Sequence, residues 1–169
     1  MDIIYLRSAR RTMALEITKD LRVVVRLPAA CPQKRAERFV AEHMDWICTH
    51  YEIQRRRSAR YQLSQAEQQA LREKAKAVLP GRVEHFARLT GLSPTGVGIT
   101  AAKTRFGSCS AKNKLNFSLY LMLYSSGAID YVVLHEICHI QYKNHSPAFY
   151  QLIGQYMPDY KTYVKELRE

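Results

Sequence analysis

The stretch 135-HEICHIQYKNH-145 places three histidines and one glutamate within eleven residues. His135 and His139 are four apart in a segment whose apolar residues recur at helical spacing, so their side chains stack one turn apart on one face. Two imidazoles placed in this way can reach one ion at about 2.0–2.1 Å. Glu136 is turned about 100° around the same axis. It therefore stands beside the ion, where a carboxylate can take a proton from water. A catalytic zinc needs a third protein ligand and an open fourth position. His145 supplies that ligand: it lies past the expected helix end and directly precedes Ser146-Pro147, a serine cap followed by a proline in the first turn of the next helix. The chemistry these residue types support is hydrolysis by a metal-activated water, with His135, His139 and His145 as zinc ligands and Glu136 as general base.

Other uses of the same residues are weaker. A closed structural zinc site would take Cys138 as fourth ligand, but Cys138 neighbours His139 in sequence and is turned about 100° from it on the helix. It reads as a buried packing thiol. Three histidines satisfied by hydrogen bonds alone would be the plainest alternative. Ser108 and Cys109 suggest a nucleophile, yet covalent catalysis is redundant beside a metal-activated water. His43, His50 and His85 fall in helical stretches without a motif.

The elements that must position these residues alternate in type, which implies an α+β fold. IIYLRS, TMALEITKD and LRVVVRLP, within residues 3–28, show two-residue alternation around a turn at Lys19-Asp20 and predict a small antiparallel sheet with Leu21, Val23, Val25 and Leu27 on one side. Helical spacing then runs from about 32 to 56. The polar segment 54–63 is the best linker candidate. Ser64 with Glu67 forms a capping-box pattern opening a second helix, and Pro80-Gly81 predicts a break in it. Residues 97–124 return to strand character around the loop RFGSCSAKNK, with Asn113 as a turn residue. Residues 127–142 form the helix that carries the chemistry, followed by helices from Ser146 and beyond Pro158. Asn144 is a candidate for the left-handed conformation that leaves the main helix. Two parts are expected: residues 1–60, a sheet plus helix, and residues 61–169, the part carrying the site.

The chain has 26 Lys+Arg against 15 Asp+Glu, a formal net charge of +11. Residues 1–90 hold 18 of the basic residues against 10 acidic ones. Such an excess can attract nucleic acid, an anionic surface or acidic polypeptides, or can simply be a solvated face. The longest apolar run, 117-FSLYLMLY-124, is far too short to span a bilayer. The N-terminal MDIIYLRSARR is unlike a signal peptide, so the cytoplasm is the expected compartment. Four cysteines without a C-x-x-C pair favour free thiols.

Four stretches, 5-YLRSARRTMALEI-17, 39-FVAEHMDWI-47, 103-KTRFGSCSAKNKLNFSLYL-121 and 130-DYVVLHEICHIQYKNHSPAFY-150, resemble the YgjP-like metallopeptidases, a bacterial zincin family related to the SprT-like and WLM proteases. Phe106 stands where that family usually has tryptophan. The resemblance implies a minimal zincin core, a short sheet over the active-site helix, preceded by the small N-terminal sheet and helices. It also implies hydrolysis of peptide bonds in a polypeptide substrate. Arg105, in the RFGSC stretch, is the first candidate for a second donor to the oxyanion, ahead of Lys103, Tyr142 and Tyr150. Asn116 and Asp130 are candidates to orient the ligand imidazoles. Two further readings stay open. One is a DNA-associated protease of SprT-like type, recruited through the basic N-terminal half; the other is a non-catalytic zinc-binding interaction domain.

Overall fold

The computed structural model describes residues 1–168. The chain divides into two compact units, Met1–Gln62 and Leu63–Glu169. In the first, strands β1 (Ile3–Ser8), β2 (Ala14–Ile17) and β3 (Val23–Pro28) form one sheet in the order β1-β3-β2. The expectation of an antiparallel sheet is met for only one pair. β2 runs antiparallel to β3, whereas β1 pairs parallel to it, Ile3 opposite Val23 through Ser8 opposite Pro28. The most apolar strand takes the middle, where both edges are paired, and the segment between β1 and β3, which contains β2, is long enough for a parallel crossover. Val23, Val25 and Leu27 are fully buried against Ala36, Val40 and Ile47. Leu21 does not join them: it holds the turn with φ of 61°.

The expected single helix over 32–56 is two, α1 (Gln33–Glu42) and α2 (Met44–Arg60). They part at His43, whose ring Nδ1 bonds the Phe39 carbonyl at 2.8 Å while its backbone N–H turns to Val40. The helical ladder loses its continuation at that point. The expected linker is also shorter than read, since α2 continues to Arg60.

In the second unit, α3 (Gln65–Thr90) opens on the Ser64–Glu67 capping box and closes on Gly91 at φ 73°. It runs unbroken through Pro80, contrary to the expected interruption. Proline there removes one backbone hydrogen bond, but Ala75, Leu79, Val83 and Phe86 bury one continuous stripe across it. Burial of that stripe outweighs local preference. Strands β4 (Gly96–Thr100), β5 (Gly107–Cys109) and β6 (Lys114–Ser118) form a second sheet in the order β4-β6-β5. Asn113, at φ 60°, makes the β5–β6 turn. Leu119–Leu123 is a 3-10 turn where a longer strand is expected. Leu119, Tyr120, Leu121 and Met122 are all buried in succession, which an alternating strand with one covered face does not provide.

Helix α4 (Ser126–Gln141) is buried nearly all round and forms the centre of this unit, with α5 (Pro147–Tyr156) and α6 (Tyr160–Arg168) packed against it. Among the described residues no helix is long and apolar enough to cross a membrane. Among the described residues the architecture is mixed α+β, with two small sheets and six α-helices.

Candidate metal centre

Three contacts from outside α4 hold that helix in place. At its start, Ser125 caps the Ala128 N–H, and Glu166 of α6 accepts from both the Ser125 backbone N–H (2.9 Å) and its hydroxyl (2.7 Å). Arg82 of α3 donates two hydrogen bonds of 2.5 Å to Asp130. Gly127 lies against the Tyr163 ring so closely that a Cβ there would stand 2.2 Å from it.

On the helix thus fixed, His135 and His139 stand one turn apart, their ring centroids separated by 4.9 Å. The helix ends at Tyr142 with extended backbone. Asn144 is not left-handed; among the described non-glycine residues only Leu21 and Asn113 have positive φ. The chain leaves through 142–146 and restarts at Ser146, which accepts from the Phe149 N–H. That exit swings His145 back to 5.0 Å from the His135 ring and 4.7 Å from the His139 ring. Phe149, fully buried, lies under all three imidazoles at 4.5–4.9 Å.

One nitrogen from each ring lies within 4.8 Å of the other two, and His135 Nε2 is 3.1 Å from His145 Nε2. A tetrahedral ion bound at 2.0–2.1 Å holds its ligand nitrogens about 3.4 Å apart, so this donor set fits a divalent ion of zinc's size. Burial, reinforced by the neighbouring imidazoles, pushes the His135 pKa down to about 3, and burial also lowers that of His139. These two α4 rings are therefore neutral near pH 7, the form a metal requires.

Glu136 is 6% exposed. Burial raises its pKa to about 7, against the opposing pull of the Arg105 charge. Gly107, the first residue of β5, makes room for it: a Cβ there would stand 2.6 Å from Glu136 Cγ and Oε1. Arg105 is exposed and lines a cavity of about 270 Å³ with Thr100, Gly107, Ser108, Asn116 and Ser118.

Other residues singled out in the sequence fall elsewhere. Asp130 is committed to Arg82, and Asn116 faces the cavity, so neither of these two candidates orients a ligand ring. The partners found are the Tyr131 hydroxyl, 3.3 Å from His135 Nδ1, and the Tyr142 carbonyl, 2.9 Å from His139 Nδ1. Tyr131 precedes His135 by four residues, so its place on the ligand face is readable from spacing alone. Phe149 and Gly107 carry no comparable signal. Cys138 is fully buried, and burial pushes its thiol to about 12. Burial also raises Cys109, which suits a packing thiol better than a nucleophile. Lys103 sits over the Tyr120 ring at 5.7 Å, and Tyr150 is exposed beside His145.

A family model described as YgjP-like, metallopeptidase domain, matches residues 11–68 and 48–169. No curated protein matches the chain. Among solved structures, the metallopeptidase zymogen of Pyrococcus abyssi abylysin is similar at 18% identity, with a TM-score of 0.49 over 53% of this chain and 91% of that one.

Proposed function

Because the chain belongs to the YgjP-like metallopeptidase family, we propose that it is a zinc-dependent peptidase in which His135, His139 and His145 hold the ion and Glu136 is the catalytic base. The observation that carries this reading is the convergence of three imidazoles, within 4.8 Å of one another, beside a buried carboxylate on the helix that bears two of them. His135, His139 and His145 would hold the ion, and bound there it would supply Lewis acidity toward a water and a substrate carbonyl. Glu136 accepts the proton of the attacking water at its carboxylate and gives it to the leaving nitrogen. A carboxyl whose pKa is lifted to about 7 is suited to both transfers near neutral pH. Arg105, whose charge reaches Glu136 from the rim of the adjoining cavity, is proposed as the second donor to the developing oxyanion. The short β4-β6-β5 sheet beside α4 then corresponds to the upper wall of a minimal zincin core, with a polypeptide as substrate.

Metal content and cleavage test the proposal together. Wild type should carry one zinc per chain by elemental analysis, and His145→Ala should lose most of it. Glu136→Gln should keep the metal and abolish cleavage of a peptide library. Near wild-type cleavage by Glu136→Gln would refute the assigned mechanism. Retained zinc in wild type with no cleavage of any peptide would favour a non-catalytic metal-binding domain.

A further inference from the structure

The cavity of about 270 Å³ beside Glu136 is lined mostly by polar side chains, and these fall into two sets. One set is already bonded within the protein. The Ser118 hydroxyl donates to the Ala102 carbonyl at 2.6 Å, and the Thr100 hydroxyl to the Phe117 carbonyl at 3.4 Å. The other set is not: among the hydrogen bonds and ion pairs of the described residues, none engages the side chain of Arg105, Ser108 or Asn116. Polar groups that converge on a cavity without protein partners are what a ligand site offers.

The sheet places them. Asn116 on β6 is paired with Gly98 on β4 and with Ser108 on β5. Residues opposite one another share a face, so the Asn116 and Ser108 side chains emerge together. A Cβ at Gly98 would stand 2.5 Å from Asn116 Oδ1, so the glycine gives the carboxamide its place. The residue before Ser108 is Gly107, which lines the cavity and also lies against Glu136. Strand β5 is an edge of its sheet. A polypeptide passing Glu136 can therefore turn one side chain over that edge into the cavity.

The chemistry of the walls selects what enters. The Arg105 guanidinium only donates, Ser108 and Asn116 can each donate, and no carboxylate is among the lining residues. Donors in excess, with one cation among them, favour one negative charge. A phosphate would bring up to about two negative charges near the Glu136 carboxylate, against a single guanidinium. A carboxylate is the better match. A guanidinium has more N–H groups than one oxyanion uses, so Arg105 can serve both.

We propose that this cavity is a substrate subsite for a carboxylate close to the cleaved bond, held by the Arg105 charge with Ser108 and Asn116 as specificity-determining residues. The inference rests on the proposed peptidase reading and gives it a substrate class: polypeptides with an acidic residue, or a free C-terminus, at one position near that bond.

The test uses the full chain supplied with Zn²⁺ and pairs of peptides that differ only by glutamate against glutamine, moved one position at a time along the sequence. In wild type, kcat/KM should favour glutamate about tenfold at one position only. Arg105 is exposed, so solvent screening keeps the gain at the low end for a charged hydrogen bond. Peptides ending at that position with a free or an amidated C-terminus separate a side-chain carboxylate from a terminal one, and a preference for either supports the subsite. Asn116→Asp puts a like charge in the cavity and should bring the glutamate-to-glutamine ratio to about one or below; Ser108→Ala should lower it about threefold. The ratio is read within each protein, so a general loss of rate does not move it. Wild-type ratios within about twofold of one at every position, with no effect of amidation, would overturn the inference without any variant. So would an equal preference for glutamate at every position, which is attraction to the net charge of +11, or a ratio that Asn116→Asp leaves unchanged. If wild type cleaves no peptide, the proposed function fails instead, and the same ratios, read as affinities by competition against a fluorescent peptide, decide the subsite.

Discussion

Replacing Gly107 by alanine should disable the proposed base without removing the metal. The added Cβ would lie 2.6 Å from Glu136 Cγ and Oε1 and 2.8 Å from Cδ, whereas ordinary contact begins at 3.4 Å. The carboxylate or the strand must therefore give way by about 0.8 Å, the difference between 3.4 and 2.6 Å. Glu136 is 6% exposed on a helix buried nearly all round, so its backbone has nowhere to retreat. Misplacing a catalytic group by about 1 Å costs on the order of 100-fold in rate. That corresponds to about 2.7 kcal/mol of transition-state stabilisation. Overpacking of this kind destabilises by about 1–3 kcal/mol, within the reserve of about 5–15 kcal/mol typical of a folded domain. Three measurements separate the outcomes: kcat/KM on a cleaved peptide, zinc content and the urea midpoint. The expected result is a loss of about two orders of magnitude in kcat/KM with zinc retained and a modest fall in the midpoint. A variant that cleaves within a few-fold of wild type would refute the claim that Gly107 sets the carboxylate's position. Loss of zinc together with activity would show that the strain reaches the histidines.

Two further predictions concern the frame around the site. Gly81 sits inside α3 with no atom within 4 Å of a built Cβ, so Gly81→Ala should raise stability by about 0.5–1 kcal/mol by urea unfolding and leave zinc content unchanged. Asp130→Asn should lower stability by about 1 kcal/mol, because the Arg82–Asp130 pair is bidentate but part-exposed, with 38% and 21% of the two side chains accessible; an unchanged midpoint would show that the pair contributes nothing.

What could be read from the chain alone divides along the range of the interactions. His135, Glu136 and His139 are set by helical spacing, and Ser146-Pro147 marks the turn that returns His145, so the order of these groups along one helix and its exit is written locally. Tyr131 is equally local, four residues before His135 on the same face. Its signal is position, four residues before a proposed ligand, rather than the amide or carboxylate chemistry that marks Asn116 and Asp130. Asp130 and Asn116 had the right chemistry but faced Arg82 and the cavity. The parallel pairing of β1 with β3, the helix through Pro80 and the seat that Gly107 makes for Glu136 have a different origin. Each depends on a partner far away in sequence, and each departs from a local preference that burial overrides. The proposed ligand set can therefore be legible while its supports are not. A helix sets two of the proposed ligands by its own periodicity, but whether the adjacent carboxylate has room beside them is decided by a glycine on another element.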